Sequence, residues 1–89
     1  MKYVYVVEAS TPAHDDYYPD YNATVGVFET PYDAGRACSD YEGTFQDSTC
    51  KIYRYEINGR KGGELVEYDK ELNLFFVWNH YSMKKEVIE

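Results

Sequence analysis

The 89-residue sequence lacks long apolar stretches and contains only two cysteines and two histidines. No stretch approaches the roughly 18 apolar residues that a membrane-spanning helix needs. Residues 1–8 do not resemble a secretory signal, so we expect a cytoplasmic protein. The cysteines and histidines do not form the closely spaced pairs of a zinc site. We therefore expect no metal and no cofactor, and free thiols at Cys38 and Cys50, with a disulfide between them as the alternative.

The sequence also lacks a catalytic motif. Its glycine cluster, residues 59–63, lies between two predicted strands, whereas a phosphate-binding loop follows a strand and opens a helix. The acidic loop around His14, Asp15 and Asp16 lacks the spacing and the terminal glutamate of a calcium-binding loop. One functional hypothesis is a hydrolase or metal-dependent enzyme that uses this loop. It is less favoured than the two binding functions described below, and we expect no enzymatic activity.

Large aliphatic residues are scarce, and tyrosine is abundant. Leu, Ile, Val and Phe account for 18 of the 89 residues, a proportion at which charged chains are often disordered. Eleven tyrosines and one tryptophan compensate, because aromatic side chains bury large areas. The composition therefore predicts one small folded domain that spans residues 1–89.

Hydrophobic patterns predict five strands and one helix. The strands are expected at residues 2–8, 23–29, 50–58, 64–69 and 74–78. A helix should begin after the N-cap Thr30, with Pro31 in its first position, and end at Gly43. Residues 9–22 should form a long loop, and residues 81–89 a frayed tail or a short helix. This β-β-α-β-β-β order indicates an α+β fold with one helix on an antiparallel sheet of four to five strands.

A single helix covers only one face of such a sheet. The opposite face must then contact solvent, a second copy of the chain or another partner. Alternation along the third predicted strand places Tyr53, Tyr55 and Ile57 on one side, and tyrosine is enriched at protein interfaces. One hypothesis is therefore a self-associating or protein-binding module that uses a tyrosine-rich sheet face, with the acidic residues serving only solubility.

Negative charge is concentrated in the first half of the chain. The formal net charge is −7, and residues 3–50 contain nine acidic residues and one basic residue. A surface of this sign repels nucleic acid and attracts basic proteins. Carboxylates beside tyrosines combine electrostatic steering with aromatic burial. The residues predicted to bind a partner are Asp15, Asp16, Tyr17, Tyr18, Asp20, Tyr21, Asp33, Asp40, Glu42 and Asp47.

In size, acidity, tyrosine content and lack of a catalytic motif, the chain resembles the small acidic proteins that bacteriophages make to disable host factors. Several of those proteins are DNA mimics that occupy the DNA-binding surface of a basic host protein. The resemblance implies a non-enzymatic inhibitor in the host cytoplasm that does not itself bind nucleic acid or membrane. Its implied partner is a basic DNA-binding protein such as an HU-type nucleoid protein, and a homodimer remains open. Of the three functional hypotheses, this inhibitor is the preferred one, and the module with a tyrosine-rich sheet face is the alternative.

A second resemblance concerns the fold. The segment Val-Gly-Val-Phe at residues 25–28, followed by Thr-Pro-Tyr-Asp-Ala at residues 30–34, is similar to small bacterial and phage domains of strand-strand-helix-strand type. This resemblance implies the same α+β arrangement that the hydrophobic pattern predicts.

Overall fold

A six-stranded antiparallel sheet carries one helix on one of its faces. The structure is a computed structural model that describes residues 2–12, 21–59, 62–79 and 83–88. The elements, in chain order, are β1 (Tyr3–Thr11), β2 (Tyr21–Phe28), α1 (Pro31–Thr44), β3 (Thr49–Glu56), β4 (Glu64–Asp69), β5 (Leu74–Asn79) and β6 (Lys84–Val87). The strands lie in the order β2-β1-β3-β4-β5-β6 across the sheet.

The predicted α+β class is confirmed, but the sheet has six strands instead of four to five. The additional strand is β6, in the segment predicted to be a frayed tail or a short helix, so that prediction is wrong. β6 pairs with β5, and the Ile88 N–H donates to the Phe75 carbonyl oxygen at 2.9 Å. The segment Lys-Lys-Glu-Val has no hydrophobic pattern that would predict a strand. It forms one at the edge of the sheet, where backbone pairing matters more than apolar side chains.

β1 and β2 both extend into the segment predicted to be a long loop. β1 continues to Thr11 and β2 already begins at Tyr21, and the two strands pair along this extension. The extension is stabilised by burial, because Ala9 belongs to the buried residues of the sheet. The register of the pair shifts between Val7 and Glu8, which marks a bulge.

The start of α1 follows the sequence prediction. Thr30 is the N-cap, and its hydroxyl oxygen accepts a hydrogen bond from the Asp33 N–H at 3.2 Å. Pro31 occupies the first turn, where its missing N–H costs nothing.

The end of α1 does not follow the prediction, because the helix continues past Gly43 to Thr44 and its C-cap is Phe45. The Phe45 N–H donates to the Tyr41 carbonyl oxygen at 2.8 Å, and the Thr44 hydroxyl donates to the Asp40 carbonyl oxygen at 3.0 Å. These donors satisfy carbonyl groups of the last turn, so no left-handed glycine is needed there.

The core lies between α1 and the sheet. The helix packs mainly on β1, β2 and β3, and Val7, Val77 and Ala34 are completely buried. One cluster unites residues of the helix and of four strands with Ile88, which follows β6: Tyr5, Val7, Ala34, Ile52, Val66, Phe75, Val77 and Ile88. Tyr32 of the helix also contacts Phe75 of β5 edge to face, with ring centroids 5.2 Å apart. These contacts fix α1 on one face and leave the other face for a different use.

Candidate functional site

Five of the ten predicted partner-binding residues lie outside the described residues. They are Asp15, Asp16, Tyr17, Tyr18 and Asp20. His14 and His80 lie outside them as well. The role predicted for these residues stays a prediction.

The other five predicted residues lie at separate places. Tyr21 begins β2 and is 64% exposed. Asp33 and Asp40 are seven residues apart, so they lie on the same side of α1, with Arg36 between them on the solvent side. Asp47 lies in the turn after the helix.

Glu42 lies on the opposite flank of α1 from Asp33 and Asp40, because it is about two and a half turns from Asp33 and about half a turn from Asp40. Its carboxylate accepts a hydrogen bond from the Cys50 N–H at 3.0 Å, so it is directed at β3. Successive side chains of β1 point to opposite faces of the sheet, and Val7 is buried on the helix side. Glu8, the next residue, therefore lies on the face away from the helix. The described acidic residues thus lie on more than one side of the molecule.

The sheet face away from α1 carries a continuous set of apolar side chains, and we call it the open face. Strand register places Val6 between Val27 of β2 and Tyr53 of β3, and places Tyr53 beside Leu65 of β4. Its apolar residues are Val4, Val6, Val27, Tyr53, Tyr55, Leu65, Leu74, Phe76, Trp78 and Val87. Every strand contributes to this set, and no described helix covers it.

Several open-face residues remain well exposed at the surface. Val27 is 60% exposed, Val87 is 54% exposed and Leu65 is 38% exposed. Exposed apolar side chains on one sheet face mark a candidate interaction site.

Aromatic side chains of the open face are held in place by their neighbours. The Tyr55 ring lies over Gly63, where an added Cβ would come within 2.6 Å of the ring. Phe76 is buried on this face, with the Lys85 ammonium 4.5 Å above its ring centroid. Both arrangements restrict the rings before any partner binds, which lowers the entropy lost on association.

Charges of both signs lie on the open face. Glu8 lies opposite Lys51 in the β1–β3 register, and Glu67 and Lys85 lie on the strands that flank Phe76. Asp69 stands at the end of β4, where its carboxylate accepts hydrogen bonds from the N–H groups of Glu71 and Leu72. A polar cleft of about 360 Å³ lies at the Glu8 end of this face. The described charges of this face therefore largely cancel.

On the other face of the sheet, a groove of about 540 Å³ runs between α1 and the β4–β5 hairpin. Ile52 and Phe75 form its apolar floor, and Arg36 and Lys70 lie on its walls. Tyr68 and Asn73, whose side chains are hydrogen-bonded to each other, also line the groove.

Two thiols and a carboxylate meet beside this groove. The donor atoms of Cys38, Glu42 and Cys50 all lie within 4.8 Å of one another, and both cysteines are free thiols. Burial raises the pKa of the Cys38 thiol to about 12, and the neighbouring Cys50 and Glu42 add to this shift. Burial also raises the pKa of the Cys50 thiol. The hydrogen bond with Cys38 offsets part of this increase. The thiols are therefore protonated at neutral pH.

A second polar cluster surrounds Arg54 on the helix-side face of β3. Arg54 is only 13% exposed, binds the Glu64 carboxylate at 3.0 Å and lies 4.2 Å above the Tyr3 ring centroid. Burial raises the pKa of the Tyr5 phenol, and the adjacent guanidinium partly offsets that shift. The Glu64 carboxylate compensates the charge of Arg54, because a charged group with little access to water needs a partner of opposite charge. Its role is structural.

Sequence reasoning missed the Cys38–Glu42–Cys50 cluster. A signal was present, because Cys38 and Glu42 are four residues apart on a predicted helix and so share one side of it. The third donor, on β3, becomes a neighbour only through the packing of α1 on the sheet.

Within the described residues, no helix is long and apolar enough to cross a membrane. Comparison of the chain with models of protein families, with curated proteins and with solved structures gives no match.

Proposed function

We propose that this chain is a non-enzymatic protein-interaction module whose open face binds a second copy of the chain. The observation that carries this proposal is the apolar surface that crosses all six strands, with Val27, Leu65 and Val87 well exposed on it. Burial of such side chains against a matching surface is the main favourable contribution to association.

The size of the open face supports a dimer. Neighbouring strands lie about 4.8 Å apart, so six strands span about 24 Å, and a strand of six residues is about 20 Å long. The resulting flat area is about 480 Å² per copy, which places a dimer at the low end of the size range of specific interfaces, so we expect a weak dimer.

The charge of the open face supports a second copy as the occupant. Two copies of a chain with net charge −7 repel each other over most of their surfaces. On the open face, Glu8 and Glu67 are matched by Lys51 and Lys85. A two-fold axis through this face brings together two surfaces with little net charge, so association there meets the least repulsion.

Sedimentation equilibrium with a matched pair of variants tests the proposal. Leu65→Glu places a carboxylate on the open face, and Leu72→Glu makes the same change in the β4–β5 turn, where Leu72 is 66% exposed. We expect the wild-type chain and Leu72→Glu to sediment as dimers at about 100 µM. We expect Leu65→Glu to weaken the dimer by about 100-fold, because burying unpaired carboxylates is costly.

Two results would overturn the proposal. One is a wild-type chain that remains monomeric at both about 50 mM and about 500 mM salt, since apolar association resists screening. The other is a dimer that Leu65→Glu and Leu72→Glu affect equally, because that dimer would use another surface.

A second candidate function is binding of a basic DNA-binding protein by the acidic residues. The exposure of Tyr21, at the chain position directly after the acidic segment 13–20, favours it, as do Asp33 and Asp40 on the solvent side of α1. Binding of this kind weakens steeply between about 50 and 200 mM salt. Calorimetric titration with an HU-type protein at these two salt concentrations tests it, with Asp33→Asn/Asp40→Asn as the variant. Affinity that is independent of salt and of both substitutions would exclude this mode.

A further inference from the structure

The three donor atoms between α1 and β3 have the spacing of a metal site. The Cys38 Sγ and the Glu42 Oε1 are 3.6 Å apart, and the Cys50 Sγ lies within 4.8 Å of both. Tetrahedral zinc, with Zn–S near 2.3 Å and Zn–O near 2.1 Å, requires about 3.6 Å between sulfur and oxygen and about 3.8 Å between two sulfurs. Side-chain shifts of about 1 Å or less therefore bring all three donors to ligand distance.

The scaffold holds the three donors in a fixed arrangement. Cys38 and Glu42 are separated by one turn of α1, and Cys50 lies at the start of β3, which packs against this helix. The Cys50 N–H donates to the Glu42 carboxylate at 3.0 Å and orients it toward the thiols. A backbone donor that orients a ligating carboxylate is typical of the outer shell of metal sites.

The donor set identifies the class of metal. Two thiolates select soft or borderline cations such as Zn²⁺, and a carboxylate is a common additional zinc ligand. Two thiolates and one carboxylate around Zn²⁺ leave a net charge of −1. Arg36 and Lys70 line the same groove as Cys38 and Glu42, so the groove also carries positive charge.

We propose that Cys38, Glu42 and Cys50 bind one Zn²⁺ ion, with a fourth coordination position open to the groove between α1 and the β4–β5 hairpin. Each thiol releases its proton to solvent as its sulfur binds the metal. Three protein ligands with one open position characterise zinc sites that exchange water or a small ligand. This site lies on the helix side of the sheet, so it does not depend on the proposed role of the open face.

Calorimetric titration of the reduced full-length chain with Zn²⁺ tests the proposal. We expect a stoichiometry of one and a dissociation constant of about 1 µM or tighter. Co²⁺ serves as a spectroscopic probe, and its complex should show visible bands of tetrahedral coordination and a charge-transfer band from thiolate sulfur.

Three variants locate the ion. Cys38→Ser should abolish the charge-transfer band or strongly reduce it. Glu42→Gln keeps an oxygen that accepts the Cys50 N–H but removes the charge, and it should weaken Zn²⁺ binding about 10-fold or more. Asp40→Asn is the matched control, because it removes a carboxylate from the same helix outside the cluster, and it should leave the affinity unchanged.

Several outcomes would overturn the proposal. They are an absence of saturable binding at the expected affinity, a Co²⁺ complex without tetrahedral bands, and equal affinity of the wild-type chain and Cys38→Ser. Glu42→Gln affects an exposed side chain, so a circular dichroism spectrum like that of the wild-type chain is expected. Unchanged Zn²⁺ affinity in that folded variant would exclude the carboxylate as a ligand and overturn the proposed donor set.

Discussion

The Glu42 carboxylate accepts a hydrogen bond from the backbone N–H of Cys50 at 3.0 Å and so joins the last turns of α1 to the start of β3. These two residues are only eight positions apart, and the contact closes the turn between helix and strand. The same carboxylate also meets the Cys38 thiol. One side chain thus links the helix, the sheet and the thiol pair.

Removal of this link should lower stability. Glu42→Ala deletes the acceptor for the Cys50 N–H, and we expect a loss of about 1 kcal/mol in the free energy of unfolding. Urea denaturation in the presence of a chelator measures it without a contribution from metal. Asp40→Ala, an exposed acidic residue of the same helix, should change stability by less than about 0.5 kcal/mol. Equal losses in both variants would show that the Glu42–Cys50 bond contributes nothing.

The N-cap of α1 offers a second test. Thr30→Ala removes the hydroxyl oxygen that accepts from the Asp33 N–H, and the free energy of unfolding should fall by about 1 kcal/mol. Thr30→Ser keeps an acceptor at the same position and should retain most of the stability. Thermal or urea unfolding followed by far-ultraviolet circular dichroism compares the three chains. If Thr30→Ala were as stable as the wild-type chain, the cap would have no energetic role.

Substitution by alanine should change stability in different ways at the two glycines of α1. An added Cβ at Gly43 would meet no atom within 4 Å, so Gly43→Ala should stabilise the chain by about 0.5–1 kcal/mol through helix propensity. At Gly35 the Cβ would lie 3.0 Å from the buried Phe75 ring, and the crowding should cancel that gain or reverse it. Urea unfolding of both variants gives the comparison. A larger gain at Gly35 than at Gly43 would contradict the packing of α1 against β5.

The raised pKa of Cys38, about 12, predicts a slowly reacting thiol. A raised thiol pKa means less thiolate at every pH below it, so alkylation by iodoacetamide at pH 8 should be about 100-fold slower or more than in the urea-unfolded chain. The rate in the folded, chelated chain should still increase with pH above 9, where an ordinary thiol is already ionised. Peptide mapping by mass spectrometry separates Cys38 from Cys50. Rapid alkylation of folded Cys38 would show that the thiol is not desolvated.

The predictions that succeeded rest on local patterns. Thr30 and Pro31 mark the helix start because capping is decided by neighbours in the chain, and the exact bounds of β4 follow from turn residues on both sides. The expected end of α1 at Gly43 failed because the Thr44 hydroxyl and the Phe45 N–H satisfy the last carbonyl groups. Sequence cannot anticipate which of several donors will serve.

The features that were missed depend on contacts between distant segments. β6 forms because its backbone completes the edge of β5, which a charged Lys-Lys-Glu-Val segment does not reveal. The sequence leaves open whether the acidic residues share one side. Strand alternation places Glu8 away from the helix, and the helix places Glu42 against β3. Amino-acid composition does not reveal in which direction the side chain of Glu8 or of Glu42 points.

One edge strand of the sheet, β6, limits how copies can meet. β6, at one edge, consists largely of Lys84, Lys85 and Glu86, which disfavour the addition of another strand from a neighbouring molecule. Stacking of two faces is self-limiting, whereas edge-to-edge pairing would propagate into fibrils. Growth of a fibril through the β6 edge is therefore disfavoured.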